Sequence, residues 1–323
     1  MAIKTMREAI SEALWEEMER DERVVILGEE VGLWGGTYAV TKGFYDHFGP
    51  ERVRDTPIAE GVIVGAANGA AMAGLRPVAE LMTINFAFLA MDQIVNHSAK
   101  LHAMFGGQMT LPVVIRAVGG GGRQLGSTHS QTPDVVFAHF PGLKVVSPGT
   151  PHDAKGLLKS AVRSIDPVMF IENATLYQMR GEVPEDEYLE PIGVSKVQRA
   201  GSDVTLISYA KMLQISLQAG ERLAAEGIEA EVVDLRTLRP LDMEPALASF
   251  KRTNRAVIVE EGWCAYGVGA EVAARLYEEA FDYADAPIRR VAQREVPLPY
   301  NRDLEQQMLP GVEDVVEMVR EVL

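Results

Sequence analysis

Two residues of this chain have the type and setting that proton chemistry requires. Glu60 closes the segment Asp55-Thr56-Pro57-Ile58-Ala59-Glu60 and opens a run of small apolar residues, Gly61-Val62-Ile63-Val64-Gly65-Ala66-Ala67-Asn68-Gly69-Ala70-Ala71-Met72-Ala73-Gly74. The run predicts a helix with a carboxylate at its mouth. Gly61, Gly65, Gly69 and Ala73 fall on one stripe, where a second backbone can approach closely. Each glycine costs helix stability roughly 1 kcal/mol relative to alanine, so close packing must offset a real penalty. The residues alone leave open whether Glu60 is a working group or the cap of an internal helix. The second residue is His129. It follows the glycine-rich run Gly119-Gly120-Gly121-Gly122-Arg123-Gln124-Leu125-Gly126, and a histidine on a glycine-hinged loop can swing into a cleft and trade protons near neutral pH. The alternative is a solvent-facing loop histidine.

The elements that must position these residues follow an α/β rhythm. Short β-rich runs at 24–27, 53–55, 77–81, 113–117, 144–147 and 168–172 alternate with helical patterns at 5–20, 60–74, 86–105 and 151–164. This alternation is the signature of a parallel sheet, and it puts the glycine run at the C-terminal edge of a strand, as a mobile loop where α/β ligands bind. The pattern decays through the acidic, proline-containing stretch 181–191, which reads as a linker. A second alternation follows, with strands at 204–208, 230–235, 256–260 and 288–291 and helices at 212–226, 244–253, 269–279 and 313–322. The expected division is one α/β domain over 1–185 and a second over 186–323.

Composition removes several classes of function. With 323 residues, 47% hydrophobic and 24% charged, the chain has the make-up of a globular protein of two domains. A net charge of -15 argues against nucleic-acid and anionic-membrane partners, because no basic stripe exists to release phosphate counterions. The N-terminus lacks an apolar leader core and no apolar run reaches membrane-spanning length, so a cytoplasmic location is expected. The lone Cys264 permits no internal disulfide and reads as a buried small apolar side chain. No Gly-Lys pair occurs, so there is no P-loop; the glycine run does not register on the dinucleotide fingerprint, and there is no His-Glu-x-x-His.

Further motifs stand in a recognisable order: Leu27-Gly28-Glu29-Glu30-Val31, Ala73-Gly74-Leu75-Arg76-Pro77, Met91-Asp92-Gln93-Ile94, His129-Ser130-Gln131 and Pro141-Gly142-Leu143-Lys144-Val145-Val146. Asp153-Ala154-Lys155-Gly156-Leu157-Leu158, Leu235-Arg236-Thr237-Leu238-Arg239-Pro240 and Gly267-Val268-Gly269-Ala270-Glu271 follow. Together with the Asp55 to Glu60 segment they make the chain resemble, over essentially its whole length, the beta subunits of thiamine-diphosphate-dependent decarboxylases of 2-oxo acid dehydrogenase complexes. The resemblance implies a pyrimidine-binding N-terminal domain and a transketolase-type C-terminal domain. It implies that Glu60 is the carboxyl group that drives the cofactor's aminopyrimidine to its imino tautomer, and that Phe86 packs beside the pyrimidine. Glu29 becomes a further pocket residue, and His129 the histidine that assists steps after decarboxylation, including acyl delivery to lipoamide.

The family's Gly-Asp-Gly and downstream Asn signature, which holds Mg2+ and the diphosphate, does not occur here. The resemblance therefore implies half a site, completed by an alpha subunit in a heterotetramer of two alpha and two beta chains, with the glycine stripe serving subunit packing. A lipoyl acyltransferase core is the implied acceptor of the acyl group. Ala161, Val162, Ser164 and Asp166 lie in a turn where relatives hold a potassium ion through carbonyls. Phe86 with Met82-Thr83-Ile84-Asn85 looks more like the pyruvate enzymes than the branched-chain ones. The rival readings are a branched-chain or acetoin-cleaving relative, and a non-catalytic assembly subunit.

Overall fold

The computed structural model describes all 323 residues. The chain packs as two units: Met1–Gly119 with Val136–Ile192, and Gly120–Val135 with Gly193–Leu323.

The first unit holds the strands β1 (Ala2–Thr5), β2 (Val24–Gly28), β3 (Val53–Asp55), β4 (Arg76–Leu81), β5 (Val114–Gly119), β6 (Lys144–Val146), β7 (Val168–Asn173) and β8 (Arg180–Val183). Within it the parallel strands lie in the order β6-β7-β5-β4-β2-β3. The central strands β2, β4, β5 and β7 are buried along almost their whole length and mostly apolar, as strands covered on both faces are. Val24, Ile26, Val78, Val114, Val168 and Phe170 pack there with Ile10, Leu14, Leu157 and Leu158 of the helices α1 (Met6–Arg20) and α6 (Pro151–Arg163). Between these in sequence come α2 (Phe44–Phe48), α3 (Glu60–Met72), α4 (Leu101–Met104) and α5 (Asp134–Ala138), whose first two residues belong to the second unit. Helix α1 begins with a capping box. Thr5 accepts from the Glu8 amide at 3.2 Å and the Glu8 carboxylate accepts from the Thr5 amide at 2.7 Å.

Two local expectations are corrected in this unit. Residues 181–191 were expected as a linker, but their start belongs to β8, which pairs antiparallel with β1; the acidic and proline content hides a strand whose partner lies at the far end of the unit. The continuous helix expected at 86–105 is a 3-10 segment, Ile84–Ala90, then a π-helical segment, Asp92–Ser98, then α4. The cause is a polar pull from outside the segment. Asn68 of α3 donates to the Gln93 carbonyl at 3.0 Å, and Ser98 donates to the Asn68 side chain at 2.7 Å and to the same carbonyl at 3.0 Å. Side-chain bonds of this kind re-satisfy backbone groups that a wide turn frees. The glycine stripe also packs within the chain: a Cβ on Gly61 or Gly65 would lie 3.3 Å from the Leu89 carbonyl or the Gln93 side chain, whereas one on Gly69 would meet open space.

The second unit holds β9 (Lys196–Arg199), β10 (Val204–Ser208), β11 (Ala230–Asp234), the short β12 (Thr237–Arg239), β13 (Ala256–Trp263) and β14 (Arg289–Gln293). Its sheet runs β14-β13-β10-β11-β9, parallel except for the edge strand β9. Helices α7 (Ala210–Ala224), α8 (Glu244–Thr253), α9 (Val268–Ala280), α10 (Arg302–Met308) and α11 (Val312–Val322) accompany it. Leu206, Val232, Val257 and Val259 meet Leu213, Leu223, Val315, Val316 and Val319 in its core. Cys264, expected buried, is partly exposed. No helix is long and apolar enough to cross a membrane.

Candidate active site

Glu60 is built into the first unit from two directions. Where β3 ends, the Thr56 amide donates to the Gly28 carbonyl at 2.9 Å and the Asp55 carboxylate accepts from the Gly32 amide at 2.6 Å. These bonds tie the chain entering α3 to the turn that carries Glu29. Glycine is needed at position 28, since a Cβ there would sit 2.5 Å from the Glu80 carbonyl on β4. Glu60 then starts α3 after Ala59, which offers no capping side chain. Glu60 is only 8% exposed, yet no group of this chain hydrogen-bonds its carboxylate. The helix end favours its negative charge, and the carboxylate oxygens, unlike an oxygen of Glu260 and one of Asp134, are not sealed from solvent. Glu29 lies in the field of the same carboxylate. Burial first, then the charges of Glu30 and Glu60, push its carboxyl above the usual range. Phe86 is half-buried in the 3-10 segment that packs against α3, and its neighbour Phe88 stacks on Phe137 with ring centroids 6.4 Å apart.

Behind this corner lies an ion cluster that the sequence did not announce. Arg116 of β5 is buried and donates to both Glu172 oxygens, at 2.6 and 2.9 Å, and to Glu80; the Tyr177 hydroxyl also donates to Glu172. Burial opposes the Arg116 charge, and Glu172 with Glu80 overcome that, so its pKa is raised. Burial pushes the Glu80 carboxyl up against the pull of Arg116. The cluster fixes the relative heights of β4, β5 and β7. Glu80 and Arg116 are register partners on β4 and β5, and Glu172 lies two residues beyond the partner of Arg116 on β7, so single charges inside otherwise apolar strands were the available signal.

His129 belongs to the second unit and is exposed. Its Nδ1 lies 2.8 Å from the Thr128 hydroxyl, and its amide donates to the Gly126 carbonyl at 3.2 Å. The loop expected to be mobile is pinned. The Gly121 amide donates to Glu261 at 2.7 Å, and the amides of Gly122 and Gln124 donate to Glu305 at 3.0 Å each. Nearby, Asp134 and Glu260 are buried acids, each with an oxygen that lacks a partner. Burial pushes both up to about 7, with like charge from Glu261 and Glu260 adding to the effect on Asp134. Glu305 was invisible in the sequence because α10 is short and carries no apolar period; the helix rests on the Asn301 cap, which accepts from the amides of Asp303 and Leu304.

The turn expected to hold potassium is supplied with side-chain cations. Arg76 donates to the carbonyls of Val162 at 2.8 Å and Ser164 at 3.2 Å, the Ser164 amide donates to the Ala161 carbonyl at 3.1 Å, and Lys144 pairs with Asp166 at 2.9 Å. This donor set does not fit a resident metal ion.

Two family models match the chain: "Transketolase, pyrimidine binding domain" over residues 3–180 and "Transketolase, C-terminal domain" over residues 193–315. The chain is 47% identical over its full length to a pyruvate dehydrogenase E1 component subunit beta of Rhizobium meliloti, covering 70% of that protein. It is likewise 47% identical to the subunit of that name from Rickettsia felis, with 98% of both chains covered. It is 46% identical to the mitochondrial beta-2 subunit of Oryza sativa, covering 85% of it. Among solved structures, a split-gene transketolase described as an inactive beta4 tetramer matches with a TM-score of 0.80 at 28% identity, over 98% of this chain and 97% of that one.

Proposed function

Because the chain belongs to the family of transketolase-type beta subunits of the pyruvate dehydrogenase E1 component, we propose that Glu60 is its proton-relaying carboxylate, with Phe86 and Glu29 beside the pyrimidine of thiamine diphosphate and His129 serving acyl transfer. The activity is oxidative decarboxylation of a 2-oxo acid, pyruvate, with delivery of the acetyl group to a lipoyl group. One observation carries the assignment of Glu60: a buried carboxylate at the start of α3 that no group of its own chain hydrogen-bonds. Such a group fits a hydrogen-bond partner brought from outside the chain, and the cofactor's pyrimidine ring nitrogen, which accepts a hydrogen bond when neutral and donates one when protonated, is a partner of that kind.

When bound, thiamine diphosphate supplies the carbon that adds to the 2-oxo group and the ring that accepts the electrons released with carbon dioxide. Glu60 holds the proton exchanged with the pyrimidine ring nitrogen. Glu29 keeps the field around that proton negative, and Phe86 offers an aromatic face that excludes water from one side. His129 holds or gives a proton at the carbonyl oxygen of the acyl group as it leaves for the lipoyl sulfur. The alpha subunit supplies the grip on diphosphate and Mg2+, in an assembly of two alpha and two beta chains. A lipoyl acyltransferase core receives the product, and the assembly works in the cytoplasm.

The test is co-expression with the alpha subunit, followed by rates on pyruvate, branched 2-oxo acids and acetoin with an artificial electron acceptor. Preference for pyruvate is expected. Faster turnover of either rival substrate would contradict the substrate assignment and leave the cofactor assignment standing.

A further inference from the structure

Backbone amides clustered in a glycine-rich turn at the end of a strand form a concavity that attracts anions. In this chain that concavity is filled from within. The amides of Gly121, Gly122 and Gln124 point at two carboxylates of the same unit, Glu261 and Glu305, and the Gln124 side-chain amide adds a further bond to Glu305 at 2.8 Å. Glu305 is 0% exposed and receives donors on both oxygens. Hydrogen bonds to an ionised acceptor are roughly twice as strong as neutral ones, so this is a clamp rather than an incidental contact. The glycines let the loop lie flat on the surface beside it: a Cβ at Gly121 would sit 2.6 Å from Leu298, and one at Gly126, where φ is +76°, would sit 2.4 Å from the Tyr300 ring. The Ser127 hydroxyl donates to the Leu298 carbonyl at 3.0 Å, and the Gly120 amide donates to the Gln131 carbonyl at 3.2 Å. The limb before His129 is therefore held along its length, and the base of the loop is closed just after it.

We propose that Glu305 is a positioning residue: its carboxylate fixes the 120–131 loop and thereby the place of the His129 imidazole in acyl transfer. This rests on the role given to His129 above. A misplacement of about 1 Å in a reacting group can cost on the order of a hundredfold, so releasing the clamp should matter at the step His129 serves and not at the earlier ones.

The experiment uses the chain assembled with its alpha subunit and compares Glu305→Gln, His129→Ala and the double variant in two assays, oxidation of pyruvate with an artificial electron acceptor and acetylation of a free lipoyl domain. Hydrogen exchange is followed at the Gly122 and Gln124 amides. Glu305→Gln should slow lipoyl acetylation by about tenfold or more, speed exchange at both amides and leave the acceptor-coupled rate within about twofold. The double variant should be no slower than His129→Ala, because one residue acts through the other. If His129→Ala slows lipoyl acetylation while Glu305→Gln loosens the amides and does not, the positioning role is overturned and the His129 assignment survives. If His129→Ala has no effect, both fall together. Losses that multiply in the double variant also overturn the proposal. Should Glu305→Gln fail to assemble, Gln124→Asn replaces it: asparagine tolerates the φ of +56° at this position but withdraws the side-chain bond. A selective loss in lipoyl acetylation then supports the clamp, and unchanged rates in both assays overturn it.

Discussion

Glu60 and His129 are held in opposite ways. Glu60 is the first residue of a helix whose following turns are locked against the 84–98 segment, so it has little freedom and no partner of its own. His129 sits exposed on a loop whose place is set by the carboxylates of Glu261 and Glu305, which lie outside it. Removing the imidazole with His129→Ala should cut lipoyl acetylation by about 10²–10⁴, the usual range for a general acid or base, while thiamine diphosphate affinity in the assembled protein stays unchanged. Calorimetry beside the acetylation rate checks this, and a loss of affinity instead would move His129 to the binding side. Arg116 tests a different kind of residue. Arg116→Met leaves Glu172 and Glu80 buried without their counter-charge, and it should destabilise the first unit by about 3–5 kcal/mol in denaturant unfolding. A loss below about 1 kcal/mol would mean that water reaches the cluster and pairs the carboxylates.

At the scale of elements, the turn before β6 shows how closely the first unit is built. Gly142 has φ +93°, and a Cβ there would sit 1.9 Å from the Ala99 carbonyl. Gly142→Ala should cost about 2 kcal/mol or more in thermal or denaturant unfolding, from backbone strain and the clash together; a change under about 0.5 kcal/mol would show that the turn can move aside. The parallel strands and most long helices could be read from the sequence, because a fully covered strand is an apolar run and an amphipathic helix repeats its pattern locally. Glu60 at the head of α3 was legible for the same reason. The 86–105 region was misread because the widening of its helix comes from Asn68, a residue on another element. Strands β1 and β8 escaped because each is short and polar and gains its partner only across the fold. The Glu305 clamp was hidden most deeply. Its donors are backbone amides, which every sequence has, and only the fold shows that they converge.

At the scale of the molecule, the buried acids of the second unit give stability a pH dependence with a definite sign. Asp134 and Glu260 have folded pKa values near 7, above their unfolded values of 3.8 and 4.5. The folded state therefore holds protons that the unfolded chain gives up between about pH 4 and 7, and stability falls as pH rises through that window. The melting temperature should be lower at about pH 8 than at about pH 5.5, and Asp134→Asn should shrink the difference; an unchanged difference would place the dependence elsewhere. The central claim is that this chain brings the proton-relaying acid and that its alpha partner brings the grip on the diphosphate. The most direct measurement is hydrogen–deuterium exchange at the reactive thiazolium carbon in assembled, cofactor-loaded Glu60→Gln, read beside its melting temperature. Glutamine keeps the volume and can still hydrogen-bond, so the assembly should form, bind cofactor and melt within a few degrees of wild type while exchange at that carbon slows sharply. Near-normal exchange in the folded, loaded variant would contradict the account and reduce Glu60 to a helix cap worth about 1 kcal/mol.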